Sequence, residues 1–472
     1  MKEKKFNKKY VVIIAAVAAT GGFLFGFDAG VISGAVNFLQ DTKGFGLNDS
    51  QIEWVTTGVL LGAILGAGLS GKLTDILGRK KIILAAALIF SGGSVYTGLA
   101  PSFLALFLGR LLLGIAVGIA SFTVPLYLSE ISPTKMRGAL VSLNQLMIAV
   151  GGKVSFLSDF LIADDADPYS WRWMFLVGFF PAVLMLVGMF FLPETPRWLI
   201  SKGQEEEGRR ILKKVEEPGL IEESIRKIKQ DITLTNESAS YRELFKPWLR
   251  NALIIAVGIM FFQQATGINT ILYYSPKIFK MAGIESNTLS ILPSLIIAVF
   301  VLVATVLSIS MIDKVGRRRI YFIGLSGMIV SLIGTGLAFY LESSLGANLK
   351  YVALVTILVY NSSFAFSLGP LGWLIISEVF PLKVRGVGMS IGSLSNWFFN
   401  AVVAFTFLKL VNTLTPAGAF WIYALIGIAA IIWGYKYVPE TKGISLEKIE
   451  DHWRKGRSPR ELSRIKTINY KK

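Results

Sequence analysis

Thr74-Asp75-Ile76-Leu77-Gly78-Arg79-Lys80 is answered 238 residues later by Ile312-Asp313-Lys314-Val315-Gly316-Arg317-Arg318, with Asp, Gly and Arg in the same relative places. Two further motifs return at nearly the same distance. Ser129-Glu130 followed by Arg137-Gly138 reappears 248 residues on as Ser377-Glu378 followed by Arg385-Gly386. Pro193-Glu194-Thr195 reappears 246 residues on as Pro439-Glu440-Thr441. Three motif types at near-constant spacing mark an internal duplication. What lies between the motifs decides the fold class.

Those intervals are apolar. Of the 472 residues, 53% are hydrophobic and only 17% charged, too few charges to cover the surface of a soluble chain this long. One membrane-crossing helix takes about 20 residues, so there is material for about twelve. Apolar runs occur near 11–36, 52–71, 82–100, 103–126, 139–163 and 173–192, then near 252–282, 290–312, 319–340, 350–376, 386–411 and 417–438. The reading is an all-α membrane protein of twelve transmembrane helices, which excludes a secreted, nuclear or cytosolic protein. Each repeat spans six helices, and an even number preserves orientation. The repeats are therefore parallel, the transporter plan in which two bundles rock around a midplane site.

The expected organisation is a six-helix bundle over 1–200, a polar linker over 201–250, a second bundle over 251–442 and a tail over 443–472. In the linker, Ile211, Leu212 and Val215 recur at helical spacing, which predicts short amphipathic helices. In the tail, Ser445 is placed to cap a helix, and the lone His452 is expected to face solvent. The basic N-terminus resembles a signal peptide, but its apolar run continues past the Ala-x-Ala site, which favours an uncleaved first span.

The basic residues then orient the chain. With the N-terminus inside, 40 of the 48 Lys and Arg fall on the cytoplasmic side. Only Lys43, Arg172, Lys277, Lys280, Lys350 and Lys409 fall outside, as the positive-inside rule requires. The net charge of +17 is thus a topology signal and needs no nucleic acid. Both termini are expected to be cytoplasmic, in a multi-pass plasma-membrane protein. Arg110 and Lys153 remain within spans. The absence of Cys excludes disulfides, Cys-ligated zinc and thiol nucleophiles. No metal cluster, nucleotide loop or nucleophile triad is present in the sequence, so neither an enzyme nor a cofactor is expected.

The ordered motifs resemble the sugar porter family of the major facilitator superfamily. They are Gly78-Arg79-Lys80, Gly109-Arg110, Pro125…Ser129-Glu130…Arg137-Gly138 and Pro193-Glu194-Thr195-Pro196-Arg197 in the first half. The second half has Gln263-Gln264…Gly267-Ile268-Asn269…Tyr273-Tyr274, Asp313…Gly316-Arg317-Arg318, Gly369-Pro370…Trp373…Glu378 and Pro439-Glu440-Thr441. The resemblance covers nearly the whole chain and implies the major facilitator fold, with a monosaccharide (hexose, pentose or related polyol) as substrate. A sugar offers a ring of hydroxyls and one apolar face, which suits amides beside aromatics, since each amide both donates and accepts. By resemblance Gln145, Gln263, Gln264, Asn269, Trp373, Asn396 and Trp397 contact sugar, and Phe25 lines the cavity. The plainer reading is that intramembrane amides only tie helices together. Tyr273 and Tyr274 are matched to an outer cap, or to interfacial anchors.

Glu130, Arg137, Glu194, Glu378, Arg385 and Glu440, with Arg79, Asp313 and Arg317, match family residues that pair across cytoplasmic helix ends as a latch. Asp28 lies midway along the first span, where a carboxylate is expensive and usually functional. Arg110 is its natural partner, and in proton-coupled members the matching positions form the protonation site. The resemblance thus implies uptake driven by protons through alternating access. A passive facilitator of the same fold and, in another class, a membrane sugar sensor are the alternatives. The expected partners are a monosaccharide, protons and the lipid bilayer, with the protein a monomer.

Two positions depart from the family pattern. Lys153 stands where an apolar residue is usual, about 80° around the helix from Gln145. Its charge suits a local structural or conformational effect better than transport of an anionic sugar. Val301 stands where many members carry a sugar-binding Asn, and Val cannot donate that hydrogen bond.

Overall fold

The computed structural model describes residues 8–133, 136–235, 241–381, 384–444 and 446–462. Ser445 lies outside the described residues. Among those described there are helices and turns and no strand. Contacts divide the chain into two compact units, Met1–Ser238 and Ala239–Lys472.

The first unit contains α1 (Lys8–Gln40), α2 (Asp49–Leu77), α3 (Arg79–Gly98), α4 (Phe103–Ile131), α5 (Arg137–Ile162), α6 (Ser170–Val177) and α7 (Phe179–Phe191). The short helices α8 (Pro196–Ser201), α9 (Glu205–Val215) and α10 (Ile221–Thr235) follow. Ile211, Leu212 and Val215 are buried on α9, and Ile200, Leu212 and Ile225 form one apolar cluster. That is the amphipathic packing expected of a helix with a single apolar stripe.

The second unit contains α11 (Tyr241–Leu244), α12 (Arg250–Ala265), α13 (Ile268–Met281), α14 (Leu292–Val315), α15 (Arg317–Tyr340), α16 (Glu342–Leu345), α17 (Leu349–Phe366), α18 (Leu368–Val379), α19 (Arg385–Tyr437) and α20 (Leu446–Arg454). At 53 residues, α19 is far too long for one crossing of a ~30 Å hydrocarbon core. It turns at Thr415, whose φ of 66° leaves the helical region, and Pro416 opens the next span with its φ already set. With α6–α7, α12–α13 and α17–α18 each read as one interrupted crossing, twelve spans result.

Three expected continuous spans are therefore broken: at Gly178, at Thr266-Gly267 and at Ser367. The break before α13 requires glycine. Gly267 has φ +92°, and a Cβ there would press on the Tyr423 ring at 2.9 Å. A broken helix frees carbonyls that lipid cannot satisfy, so side chains must answer them.

Glycine seams set how closely helices approach in the first unit. A Cβ at Gly62 would collide with the Leu111 carbonyl, and one at Gly114 with the Val59 carbonyl, so α2 and α4 meet backbone to backbone. On α1, Gly22, Gly26, Gly30 and Gly34 present the same kind of face to α5, where Gly26 abuts the Ile148 carbonyl. Close packing of small residues is what holds helices together where the hydrophobic effect is absent.

Gly62→Leu or Gly26→Leu should destabilise by at least the ~1–3 kcal/mol of an overpacked core. The check is a lower Tm in detergent and loss of the monodisperse size-exclusion peak. Gly92→Ala, where an added Cβ meets open space, should leave both unchanged.

Candidate functional site

In the first unit, Arg110 on α4 reaches Asp28 on α1, with Nη1 donating to Oδ1 at 2.6 Å. The two side chains are 1% and 2% exposed. The pair is monodentate: Asp28 Oδ2 and Arg110 Nε have no hydrogen-bond partner among the described residues. Phe175 covers the guanidinium, with its ring centroid 5.3 Å from Cζ. Two opposite charges sealed among apolar groups are held by each other, and neutralising one leaves the other uncompensated.

Phe25 is half-buried on α1, and Gln145 is exposed on α5. Lys153 lies on α5 nearly opposite the face that packs on α1, and among the described residues no acidic side chain pairs with it. Sequence reading missed Asp159. This fully buried carboxylate of α5 packs against Gly34. Its one-turn spacing from Ser155, on the face toward α1, was the available signal.

In the second unit, the amides gather at the helix breaks. Gln263 Nε2 donates to the carbonyls of Leu368 and Gly369 at 2.8 and 3.1 Å, where α18 begins. Its Oε1 accepts from Asn396 Nδ2 at 2.5 Å. Across the α12–α13 break, Asn269 Nδ2 donates to Gln264 Oε1 at 2.5 Å. The Tyr360 hydroxyl donates to the Thr266 carbonyl at 2.8 Å, and Ser308 donates to the Phe366 carbonyl at 2.7 Å. The Tyr360 and Ser308 bonds answer carbonyls freed at the ends of α12 and α17, whereas Gln263 ties α12 to the start of α18. The amide bonds leave Gln264 Nε2, Asn269 Oδ1 and Asn396 Oδ1 without a protein partner among the described residues, a set of one donor and two acceptors suited to hydroxyls. Trp397 on α19 is 7% exposed and Trp373 on α18 is 40% exposed.

Tyr273 and Tyr274 are both buried. Asn400 Nδ2 donates to the Tyr273 hydroxyl at 3.3 Å, and Tyr274 donates to the Ala404 carbonyl at 3.1 Å. Asn400, one turn beyond Asn396, was missed from sequence although the i, i+4 spacing marks it. Val301 is half-buried on α14, and its carbonyl accepts from the Thr305 hydroxyl at 2.7 Å.

The duplicated motifs build the same network twice, each within one unit. Arg79 Nε and Nη2 donate to Glu130 at 3.0 and 3.1 Å, and its backbone N–H donates to Glu194 at 3.1 Å. Arg317 Nε and Nη2 donate to Glu378 at 3.3 and 2.8 Å, and its backbone N–H donates to Glu440 at 3.1 Å. Asp75 and Asp313 flank these arginines from the preceding turn. Thr195 and Thr441 donate their hydroxyls to Glu130 and Glu378. Glu194 and Glu440 thus cap the starts of α3 and α15, where free N–H groups favour a carboxylate. Burial pushes the Glu194 carboxyl above the usual carboxylate range, against the pull of the N–H groups it accepts.

Arg137 and Arg385 do not join in. Arg137 is exposed, and Arg385 Nε and Nη2 have no hydrogen-bond partner among the described residues. Glu130 and Glu378 are already engaged by a forked guanidinium and a threonine.

His452 corrects a sequence expectation. It is 2% exposed, bonded at Nε2 to the Ser458 carbonyl at 2.8 Å and packed edge-on against Trp453. Trp453 is itself buried and donates to the Val379 carbonyl at 2.9 Å. The apolar face of α20 docks on the end of α18 and carries the histidine inward with it.

The chain is similar to known proteins over nearly its whole length. The family model described as "Sugar (and other) transporter" matches residues 14–453. A galactose-proton symporter of Escherichia coli (strain K12) is 37% identical over 469 residues, covering 98% of each chain. A D-xylose transporter of Levilactobacillus brevis is 37% identical over 454 residues, 95% of this chain and 97% of that one. The structure of the major facilitator superfamily proton:xylose symporter XylE bound to 6-bromo-6-deoxy-D-glucose matches with a TM-score of 0.74 at 32% identity, covering 95% of this chain and 100% of that one.

Glu130→Gln removes the partner of Arg79, whose side chain is 9% exposed. It is expected to cost about 3 kcal/mol, the lower end for breaking a buried pair, because Asp75 remains. Thermal unfolding in detergent checks this, and Glu378→Gln should show a similar loss through Arg317.

Proposed function

The chain belongs to the sugar transporter family of the major facilitator superfamily, and from that membership we propose that it carries a monosaccharide into the cell together with protons. It is a multi-pass membrane transporter with the twelve-helix fold of that superfamily, and not an enzyme. In this reading it works as a monomer in the plasma membrane, with both termini cytoplasmic.

One observation carries the proton reading: Asp28 and Arg110 form a sealed, monodentate ion pair inside the membrane span. A proton on Asp28 Oδ2 neutralises the carboxylate, and Arg110 then loses the charge that holds it. The pairing therefore has two states that differ by one proton. Two arrangements separated by a few kcal/mol are what alternating access needs, and a ligand moves the balance only through its different affinity for each. The Escherichia coli relative is a galactose-proton symporter, which agrees with this reading.

The substrate reading rests on the amides. Gln264, Asn269 and Asn396 keep groups free for hydroxyls, while Gln263 ties the start of α18 to α19. Trp373 and Trp397 supply apolar faces for a sugar ring, and Gln145 and Phe25 are the proposed contacts from the first unit. The buried tyrosines Tyr273 and Tyr274 are proposed to gate the outer side, and the paired Arg–Glu networks to gate the cytoplasmic side. The family resemblance adds Arg137 and Arg385 to that cytoplasmic set.

In proteoliposomes with an inward proton gradient, the wild-type protein should concentrate its sugar, and Asp28→Asn should equilibrate it only, to an inside-to-outside ratio of about one. Asp28→Asn that concentrates sugar as well as the wild type would remove the proton role. Gln264→Ala should weaken sugar affinity about ten- to hundredfold, the cost of leaving a buried hydroxyl unpaired, read by equilibrium binding.

A further inference from the structure

Docking of α20 has a second result: it brings Arg460 beside the cytoplasmic end of the last span. Leu462 is fully buried and anchors the segment that follows α20. The Arg460 guanidinium stacks 4.4 Å from the Tyr435 ring centroid, and its Nη2 donates to the Tyr435 hydroxyl at 2.7 Å. Arg318 approaches the same ring to 5.6 Å while resting on Phe322 at 5.1 Å. Arg318 also caps α19, donating to the carbonyls of Gly434 at 3.2 Å, Val438 at 2.5 Å and Tyr435 at 2.8 Å.

Two guanidiniums thus share one tyrosine, close enough for each charge to act on the other. Their acidic neighbour, Glu440, already accepts from the backbone N–H groups of Arg317 and Arg318. Arg460 forms no ion pair among the described residues and uses one of its five N–H donors on protein. Tyr435 is 54% exposed near the end of a membrane span, the depth at which amphipathic rings meet headgroups. An exposed Arg460 beside a half-buried Arg318, two like charges at that depth, calls for an anion.

We propose that Arg318, Tyr435 and Arg460 form a site for the phosphate headgroup of an anionic lipid of the cytoplasmic leaflet. The planar Arg460 fork offers N–H donors matched to phosphate oxygens, the tyrosine holds it in place, and Arg318, engaged with the end of α19, adds a second positive charge. The general excess of cytoplasmic Lys and Arg sets orientation without needing a shared ring. Arg454 shows the contrast: it stacks on Trp248 at 4.4 Å but is neutralised by Glu450 at 2.7 Å.

The test is native mass spectrometry of the purified full chain with phosphatidylglycerol and phosphatidylcholine supplied in equal amounts. The wild type should retain phosphatidylglycerol preferentially, and Arg460→Gln should reduce that retention about fivefold, the effect of one basic group at a membrane surface. Arg454→Gln removes the same charge from the same tail and should retain lipid like the wild type. Equal retention by Arg460→Gln and wild type, or an equal loss in Arg454→Gln, overturns the site. Displacement of the lipid by millimolar inorganic phosphate would make the occupant a soluble anion and overturn the lipid assignment. Unchanged Tm of Arg460→Gln keeps misfolding out of the comparison.

Discussion

Inside a bilayer there is no water to satisfy a free carbonyl or an unpaired charge, and this constraint shapes both units. Where a span stays regular, the helix bonds its own backbone. Where it breaks, a side chain has to supply the missing partner. Tyr360 answers Thr266 and Ser308 answers Phe366, while Gln263 ties α12 to the start of α18. Polar residues therefore collect at the breaks for structural reasons first. The proposed sugar contacts are the hydrogen-bonding groups left over once the breaks are satisfied. The plain reading of these amides as helix ties and the functional reading describe different atoms of the same residues.

Duplication explains the helix ends that carry the Arg–Glu networks better than it explains the membrane interior. Arg79 with Glu130 and Glu194, and Arg317 with Glu378 and Glu440, are the same construction at two places. Within the spans the units have diverged. The sealed ion pair Asp28–Arg110 belongs to the first, and the amide cluster around Gln263 and Gln264 belongs to the second. On the proposed function this is a division between proton chemistry and hydroxyl recognition.

Much of this was legible in the sequence, because a bilayer forces long apolar runs and a duplicated gene repeats its motifs. All twelve spans could be read that way. The breaks were harder. Gly267 is visible as a glycine, but its need depends on Tyr423, a residue 156 positions away, lying against it. Ser367 looks like any small residue within an apolar run. Pairings across long separations, such as Gln263 with Asn396, have no local signature. His452 was misread because a lone histidine in a charged tail looks solvated until the docking of Trp453 is known. Lys153 is visible in the sequence as an anomaly, and among the described residues no acidic side chain pairs with it.

The central claim is that one proton, held at the Asp28–Arg110 pair, moves with each sugar. The most direct measurement is the pH outside weakly buffered proteoliposomes when sugar is added with no gradient imposed. The account predicts prompt alkalinisation of the medium that tracks sugar entry and is absent in Asp28→Asn. Sugar entry into wild-type liposomes with no change in external pH would contradict it.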